Sequence, residues 1–320
     1  MHNFKKFIET SHGEISSMLE KHWEVDHACY RTQTLSEYEE LKVVFSVSFN
    51  LLIESIIGGR PISTFKLSQP MRVNELFVDL IELPAPKPGK SYPKGYEHLE
   101  VVIDISFEEL MTKYPTLDWD TSGTKKGLNP ELQASFGTFN VKFHHHSLEH
   151  IINIEKHPMA HSFLEQTDII KKLSQFKPLL SGTIPLGIDL PESDLDILFE
   201  SQDFDLFNKT VLNHFPSAII STQDDFTIAK LTHNRLAIEL FCQKIAPLKQ
   251  NAHRHLRIEG RLLKMLGTNF KNKVIELKSS GIKTEPAFGQ LLDLNDPYKQ
   301  LLELYHFSDA ELFSRFEKYK

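Results

Sequence analysis

The stretch Ser181–Phe199 reads SGTIPLGIDLPESDLDILF and places two carboxylates inside an otherwise apolar segment. Asp194 and Asp196 are one residue apart, so in an extended strand their side chains point to the same face, opposite the intervening Leu195. A buried carboxylate without a partner is costly, so either a bound cation or a basic side chain must compensate this pair. The rest of the chain bears on which of the two it is.

Length and composition indicate a globular protein of two domains. The chain has 320 residues, of which 40% are hydrophobic and 25% charged. Its net charge of −7 is opposite in sign to the basic balance of a duplex-DNA binder, so we expect no duplex-DNA partner. The most apolar stretch, residues 43–59, contains Asn50 and Glu54, which argues against a membrane span. The two distant cysteines and the polar first ten residues favour a cytoplasmic protein.

The first half contains one order of elements twice. Strands are predicted at VDHACYR (25–31), ISTFKL (62–67), LFVDLIELP (76–84) and EHLEVVIDI (97–105), and a helix at LSEYEELKVVFSVSF (35–49). A shorter helix, FEELMTKY (107–114), precedes the strands ELQASFG (131–137) and FNVKFHH (139–145). This order predicts a strand–helix–three-strand unit that occurs twice.

The second half mixes strands and helices and then becomes helical. Strands are predicted at 179–185, 194–199, 218–222, 226–231 and 236–243, with helices at 167–176 and 204–215. From Asn251 onward the pattern is helical, with breaks at Gly267, Gly281, Pro286 and Pro297. We therefore expect an α+β chain with one domain at residues 1–157 and another at residues 163–320.

A third acid and a small turn accompany the aspartate pair. In LAIELFCQ, Glu239 lies on the face opposite Ile238 and Leu240, so three carboxylates converge if the two strands are neighbours. Clustered carboxylates suit Mg²⁺, which prefers oxygen ligands. Gly182-Thr183 leaves a predicted strand, and a glycine there lets the backbone come close to a phosphate.

This constellation resembles the nucleotidyltransferase fold of DNA polymerase beta type, which has a Gly-Ser or Gly-Thr turn, an Asp-x-Asp on the next strand and a third acid on a later strand. The resemblance runs from about residue 166 to the C-terminus and is nearest to a small bacterial branch. It implies that Asp194 and Asp196 bind Mg²⁺ with an NTP. It also implies that Glu239 assists the acceptor hydroxyl and that Gly182 and Thr183 hold phosphate. Glutamate in place of the usual third aspartate departs from the pattern.

Basic residues supply further candidates for phosphate binding. In RHLRIEGRLLK, Arg254, Arg257, Arg261 and Lys264 fall at helical spacings and line one face. Arg257 and Arg261 are candidates to bind triphosphate oxygens or an acidic acceptor. The alternative is a solvated face with the leucines inward. Lys230 in FTIAKL is another phosphate candidate. For the aspartates, the alternative to a metal is a turn cap at Asp194 and an ion pair at Asp196.

The first half contains candidates for a second metal site. His27, Glu82, His98 and His144 lie on the first and last predicted strands of the two repeats. Imidazole and carboxylate together suit transition metals such as Zn²⁺ or Ni²⁺. Each residue alone is equally explained as structural or exposed, and His146 shares the face of His144. The simplest interpretation of the neighbouring Glu100 is a pair within the sheet.

This layout resembles the vicinal oxygen chelate superfamily, the glyoxalase and bleomycin-resistance group, whose paired βαβββ modules place ligands on their first and last strands. The first half resembles the YecM family more closely still. GGRPISTFKL, VDLIELPAPK, YPKGYEHLEVV and VKFHHHSLEHI resemble it through nearly the whole of residues 10–155. The resemblance implies a cupped sheet around a cavity and leaves the chemistry open.

Nucleotidyl transfer is the leading hypothesis, from an NTP to a hydroxyl of a small molecule or of RNA. A second hypothesis is a metal-dependent isomerase or lyase acting on a small oxyacid through the first domain. A third is a protein that binds ligands without catalysis. A ligand that binds only the folded state raises the melting temperature, so NTP with Mg²⁺ and transition metals discriminate among the three.

Overall fold

The computed structural model describes residues 2–320, which fold into two compact units. The first unit runs through Leu148 and includes residues 308–311, and the second comprises residues 149–307 and 312–320. Each unit has its own sheet, with helices packed on it. The prediction of an α+β chain with two domains is confirmed, and the boundary at residues 157–163 stays a prediction.

The first unit consists mainly of strands, with single α-helices before β1, after β1 and after β5. Its elements are α1 His2–Ile15, β1 Glu24–Arg31, α2 Leu35–Ser48, β2 Asn50–Ile57, β3 Arg60–Val73, β4 Leu76–Pro84, β5 Gly95–Val102, α3 Phe107–Lys113, β6 Trp119–Asp120, β7 Leu132–Ser135 and β8 Asn140–His144.

The first sheet consists of two matching halves. Among the described residues, its eight strands follow the order β2-β3-β4-β1-β5-β8-β7-β6. In each half the first strand is parallel to the last, β1 to β4 and β5 to β8, and the halves join through the antiparallel pair β1–β5. The predicted repeat is therefore a pair of βαβββ modules, and their first and last strands occupy the centre of the sheet.

Local signals fix the helices of the two modules. The Thr34 side chain accepts a hydrogen bond from the Glu37 amide at the start of α2. At the start of α3, Ser106 and Glu109 form a reciprocal capping box. Between the helices and the sheet lies a core of fully buried aliphatic and aromatic side chains, including Leu99 and Phe143.

The second unit has a smaller sheet and a helical C-terminal part. Its elements are α4 Leu148–Lys156, α5 Pro158–Thr167, α6 Ile169–Lys172, β9 Leu179–Ser181, α7 Thr183–Leu186, β10 Leu195–Glu200, α8 Phe204–His214, β11 Ile219–Thr222, β12 Phe226–His233, β13 Leu236–Gln243, α9 Asn251–Ser279, α10 Thr284–Leu292 and α11 Pro297–Leu304. The last helix, α12 Asp309–Phe316, begins within residues 308–311 of the first unit and ends in the second.

The second sheet places the strands with acidic residues side by side. Its five strands within residues 2–320 follow the order β11-β12-β13-β10-β9. Strand β10 is parallel to β13 and antiparallel to β9, and the remaining neighbours are antiparallel. The strands from the aspartate pair and from Glu239 are therefore adjacent.

The predicted breaks in the helical part are correct only in part. The predicted break at Gly267 is present as a kink within α9, where this residue has a non-helical φ of 78°. Gly281 and Pro297 mark true boundaries, because Gly281 follows α9 and Pro297 begins α11. Pro286 lies inside the first turn of α10, where a missing amide hydrogen costs nothing, so the expected break there is wrong. No helix within residues 2–320 is both long enough and apolar enough to cross a bilayer.

Candidate functional site

The second unit contains a cavity of about 680 Å³, within the usual size range of small-molecule sites. One wall consists of residues from β9, β10 and β13, and the other of residues from α9 and the start of α10. The charged lining residues are Glu192, Asp194, Asp196, Glu239, Glu259, Glu285, Lys278 and Lys283. Because acids outnumber lysines in this lining, the cavity attracts cations.

Three neighbouring strands present a polar row to the cavity. Asp196 on β10 pairs with Glu239 on β13 on one side and with Ser181 on β9 on the other. Asp194 lies immediately before β10 and also lines the cavity. Glu239 is additionally bound to the exposed Lys230, whose Nζ lies 2.9 Å from its Oε2. Lys230 thus lies beside the row and pairs with one of its acids.

The pKa of Asp196 is the one most affected by burial and by the other acids of this row. Burial, followed by the nearby carboxylates of Asp194 and Glu239, raises the pKa of Asp196 to about 8. Without a cation, this carboxyl therefore holds a proton near neutral pH. A hard divalent cation bound by oxygen would replace that proton and relieve the repulsion, so the residues of the row fit Mg²⁺.

The turn at Gly182 lies directly against the carboxylate of Asp196. The φ of this glycine, 77°, is a conformation that residues with side chains rarely adopt. A Cβ atom at this position would overlap Oδ2 of Asp196 and lie 2.9 Å from its carboxyl carbon. Thr183 follows at the cavity wall, where its hydroxyl lies 3.4 Å from Oγ of Ser193. Glycine is thus required for the turn to approach the carboxylate.

The two arginines proposed for phosphate binding lie away from this cavity. Arg257 and Arg261 are each 2% exposed. Arg261 donates hydrogen bonds to the carbonyl oxygens of Tyr305 at 3.1 Å and Phe307 at 2.6 Å. These bonds give Arg261 a structural role, in which it holds the chain after α11 against α9.

Two lysines at the cavity were missed by sequence reasoning. Lys283 is exposed at its edge, between α9 and α10. Lys278 is buried and donates a hydrogen bond to the carbonyl oxygen of Ile188 at 2.6 Å. Burial lowers the pKa of Lys278, although the acids near it act in the opposite direction. No spacing in the sequence distinguishes these two lysines from the other lysines of the C-terminal helices.

The centre of the first sheet holds a buried cluster around Glu100. Its Oε1 lies 3.1 Å from Nε2 of His98, and its Oε2 lies 2.6 Å from Nε2 of His144 and 3.4 Å from Nε2 of His27. Lys142 Nζ approaches Oε1 at 3.4 Å. Three of the predicted ligands are therefore together, and Glu100 lies among them.

The other nitrogen of each of these histidines is held in place. Nδ1 of His27 lies 2.8 Å from the Asp26 carboxylate, and Nδ1 of His98 lies 3.0 Å from that of Glu97. Nδ1 of His144 lies 3.1 Å from the Pro130 carbonyl oxygen. Each Nδ1 can donate its hydrogen to its acceptor, while all three Nε2 atoms face Glu100. Histidine ligands of metal sites are held in the same way, by a hydrogen bond from the nitrogen that does not bind the metal.

Glu82, the fourth predicted ligand, lies within the same cluster. Ligand atoms of Glu82, His27 and Glu100 all lie within 4.8 Å of one another, as do those of Glu82, Cys29 and His98. The donor set of imidazoles, carboxylates and a thiol fits a divalent transition metal. The set of four predicted from the sequence is thus extended by Glu100 and Cys29.

Protons occupy this cluster when no metal is bound. Burial lowers the pKa of His27, but Glu100 and Asp26 outweigh it and raise the pKa to about 10. Burial also opposes the charge of Glu100, yet His27 and His144 hold its pKa well below the usual range. A metal that binds here must therefore displace a proton from His27 at neutral pH.

Comparison with known proteins identifies the first half. A family model described as YecM protein matches residues 1–155. Protein YecM of Escherichia coli (strain K12) is 31% identical over 147 residues, which cover 41% of this chain and 78% of that protein. The chain belongs to the YecM family. The resemblance predicted from the first-half motifs is confirmed.

The chain is also similar to solved structures. Protein EC4020, from structural genomics, is 28% identical with a TM-score of 0.40, covering 48% of this chain and 90% of that one. A cytoplasmic RNA terminal U-transferase is 15% identical with a TM-score of 0.31, covering 43% of this chain and 40% of that one. Beyond the YecM part, a model described as domain of unknown function (DUF4269) matches residues 162–304.

Proposed function

We propose that the second unit transfers a nucleotidyl group from an NTP to a hydroxyl group of a small molecule or RNA. The observation that carries this proposal is the row of Ser181, Asp196 and Glu239 at the wall of a 680 Å³ cavity, next to the turn at Gly182. A row of acids that repel one another suits a ligand that arrives with its own cations. A nucleoside triphosphate bound to Mg²⁺ is such a ligand.

Each residue of the row has a role in this proposal. Asp194 and Asp196 hold Mg²⁺, which offsets the charge on the phosphate oxygens when it is bound. Gly182 and Thr183 let the backbone approach the phosphates. The acceptor oxygen attacks the α-phosphorus and forms a bond to it. The bond between the α-phosphorus and the oxygen that bridges to the β-phosphorus breaks, and pyrophosphate leaves with that electron pair. Glu239, once separated from Lys230, takes the proton of the acceptor hydroxyl.

Lysines rather than arginines serve the phosphates in this proposal. Lys283 is exposed at the cavity edge, and in this proposal its ammonium group binds the triphosphate. Lys278 is tied to the Ile188 carbonyl, so it contributes a fixed positive charge. As a buried cation among acids, it also limits the mutual repulsion of the empty cavity.

The proposal predicts pyrophosphate release that depends on Mg²⁺. We expect release when the protein is incubated with Mg²⁺, one of the four NTPs labelled at the α-phosphate, and either an RNA oligonucleotide or a small-molecule cell extract. Glu239→Gln should slow release by about 100-fold or more, because the proton acceptor is lost. Labelled RNA identifies an RNA acceptor, and release with the extract alone identifies a small one. Absence of release with every NTP and both acceptors contradicts the proposal.

A second function is favoured by the three Nε2 atoms that face Glu100 in the YecM part. We propose a divalent transition metal held there by His27, His98 and His144 with Glu82 or Glu100, and a reaction of the isomerase or lyase type on a small oxyacid. The metal would supply charge stabilisation to two substrate oxygens. Asp26 and Glu97 keep the imidazoles oriented for it.

A further inference from the structure

A second group of possible ligands lies on the helical wall of the cavity in the second unit. His255 and Glu259 are four residues apart on α9, so they share a face of the helix. Glu285 is in the first turn of α10. One nitrogen or oxygen atom from each of the three residues lies within 4.8 Å of the others. All three line the cavity.

The hydrogen bonds of His255 define which of its nitrogens faces the acids. Its Nε2 lies 3.0 Å from the carbonyl oxygen of Tyr298, which can only accept, so Nε2 carries a hydrogen. Its Nδ1 lies 3.1 Å from Oε1 of Glu285. In the neutral ring, Nδ1 and this carboxylate oxygen are both acceptors, so a proton or a metal ion must lie between them.

Glu259 provides an independent sign of a missing ligand. Its side chain is 3% exposed, and among the described residues its Oε1 has no hydrogen-bond partner. A buried carboxylate oxygen without a partner costs free energy, and this one belongs to a residue of the cavity wall. Lys278 lines the same wall, and its Nζ donates a hydrogen bond to the carbonyl oxygen of Ile188.

We propose that His255, Glu259 and Glu285 form a metal site for a divalent transition ion such as Zn²⁺ or Mn²⁺. One imidazole and two carboxylates are a suitable donor set for these ions, whereas Mg²⁺ prefers oxygen ligands alone. The Tyr298 carbonyl holds the ring in the orientation that the site requires. The site stands whether or not the cavity transfers nucleotides, and an ion in it faces the acidic row across the cavity.

The test is the zinc content of the intact protein after equilibrium dialysis against buffered Zn²⁺, followed by elemental analysis. We expect Glu259→Gln to contain one equivalent less than the parent. The amide has the shape of the neutral acid, so the fold should be kept. Glu276→Gln, an exposed position on the same helix, is the matched control and should keep the parental content. His255→Gln should lose the same equivalent and decides the matter if Glu259→Gln does not fold.

Visible absorption by bound Co²⁺ is a second measurement, which reports the ligands of the ion rather than the metal content alone. Co²⁺ bound to one imidazole and carboxylates should give visible bands in the parent that are reduced in Glu259→Gln. Parental zinc content in a folded Glu259→Gln or His255→Gln protein overturns the proposal. Asp196→Asn should keep this zinc equivalent and lose binding of Mg²⁺ with NTP, so failure of this site and failure of the proposed function are distinguishable.

Discussion

Asp196→Asn is expected to make the protein without metal or nucleotide more stable than the parent at pH 8. Burial and the acids at 194 and 239 raise the pKa of Asp196 to about 8, whereas the unfolded value is about 3.9. The protonated carboxyl therefore favours the folded state below pH 4, and this contribution is lost as the pH rises towards 8. Asparagine has no proton to lose, so the gain relative to the parent grows over that interval and then becomes constant. The two pKa values give a gain of up to about 5 kcal/mol at pH 8.

Urea denaturation at pH 5 and pH 8.5 measures this effect. The difference in free energy of unfolding between variant and parent should be larger at pH 8.5. Asp225→Asn replaces an exposed carboxylate of the same unit and should change stability by less than about 0.5 kcal/mol at both pH values. A variant that is less stable than the parent at pH 8.5 contradicts the view that the acidic row is strained without a cation.

His98→Ala is expected to remove the metal from the YecM part. Three Nε2 atoms face Glu100, and loss of one leaves too few neutral donors to hold a transition ion tightly. Affinity should rise with pH through the neutral range, because His27 must release its proton, whose pKa is about 10 in the empty cluster. The measurement is metal content after purification without a histidine tag.

His145→Ala is the control for loose binding by the HHH stretch. The His145 ring stacks on Phe107 at 4.5 Å between centroids, and its Nε2 lies 3.1 Å from the Ile105 carbonyl oxygen, so it takes no part in the cluster. It should keep the metal. The readout is the difference from the parent, since the group at Glu259 contributes an ion of its own. Equal content in the parent, His98→Ala and His145→Ala, or no metal in any, removes this site.

Most of the correct predictions came from the alternation of side chains between the two faces of a strand. It placed Asp196 and Glu239 on faces that the parallel register of β10 and β13 then brings side by side. The interpretation of Glu100 as a pair within the sheet agrees with its contacts to His98, His144 and Lys142, but its place among the predicted metal ligands was not drawn from the alternation, and Lys142 was not considered. Glu100 shares a face with His98 in one strand, and Lys142 shares a face with His144 in another, so both cluster residues were visible as alternating positions.

Helix α1, strand β2 and the two-residue strand β6 of the first unit escaped prediction. Strand β2, Asn50–Ile57, is an edge strand with both faces largely exposed, so it lacks the alternation that marks a half-buried strand. Helix α1 was missed although its pattern is helical. Phe4, Ile8, Ser11 and Ile15 recur at spacings of three and four residues, and all four are buried.

The arginine face of α9 shows a limit of helical periodicity. The spacing identifies which residues share a face but does not say whether that face meets solvent or the interior. Arg257 and Arg261 are on the buried side. Burial of Arg261 is tolerated because its guanidinium donates to carbonyls more than 40 residues away in sequence, a partnership that no local pattern reveals.

The most direct test of the central claim is calorimetric titration of NTPs into the parent and Asp196→Asn, each with Mg²⁺ and with EDTA. The parent should bind at least one of the four NTPs only when Mg²⁺ is present. Asp196→Asn, although folded and more stable, should show no binding under either condition, because one of the two carboxylates that hold the ion is gone. Equal affinity in the parent and the variant, or binding by the parent that is unaffected by EDTA, would contradict the assignment of Asp194 and Asp196 as the site of the metal-bound nucleotide.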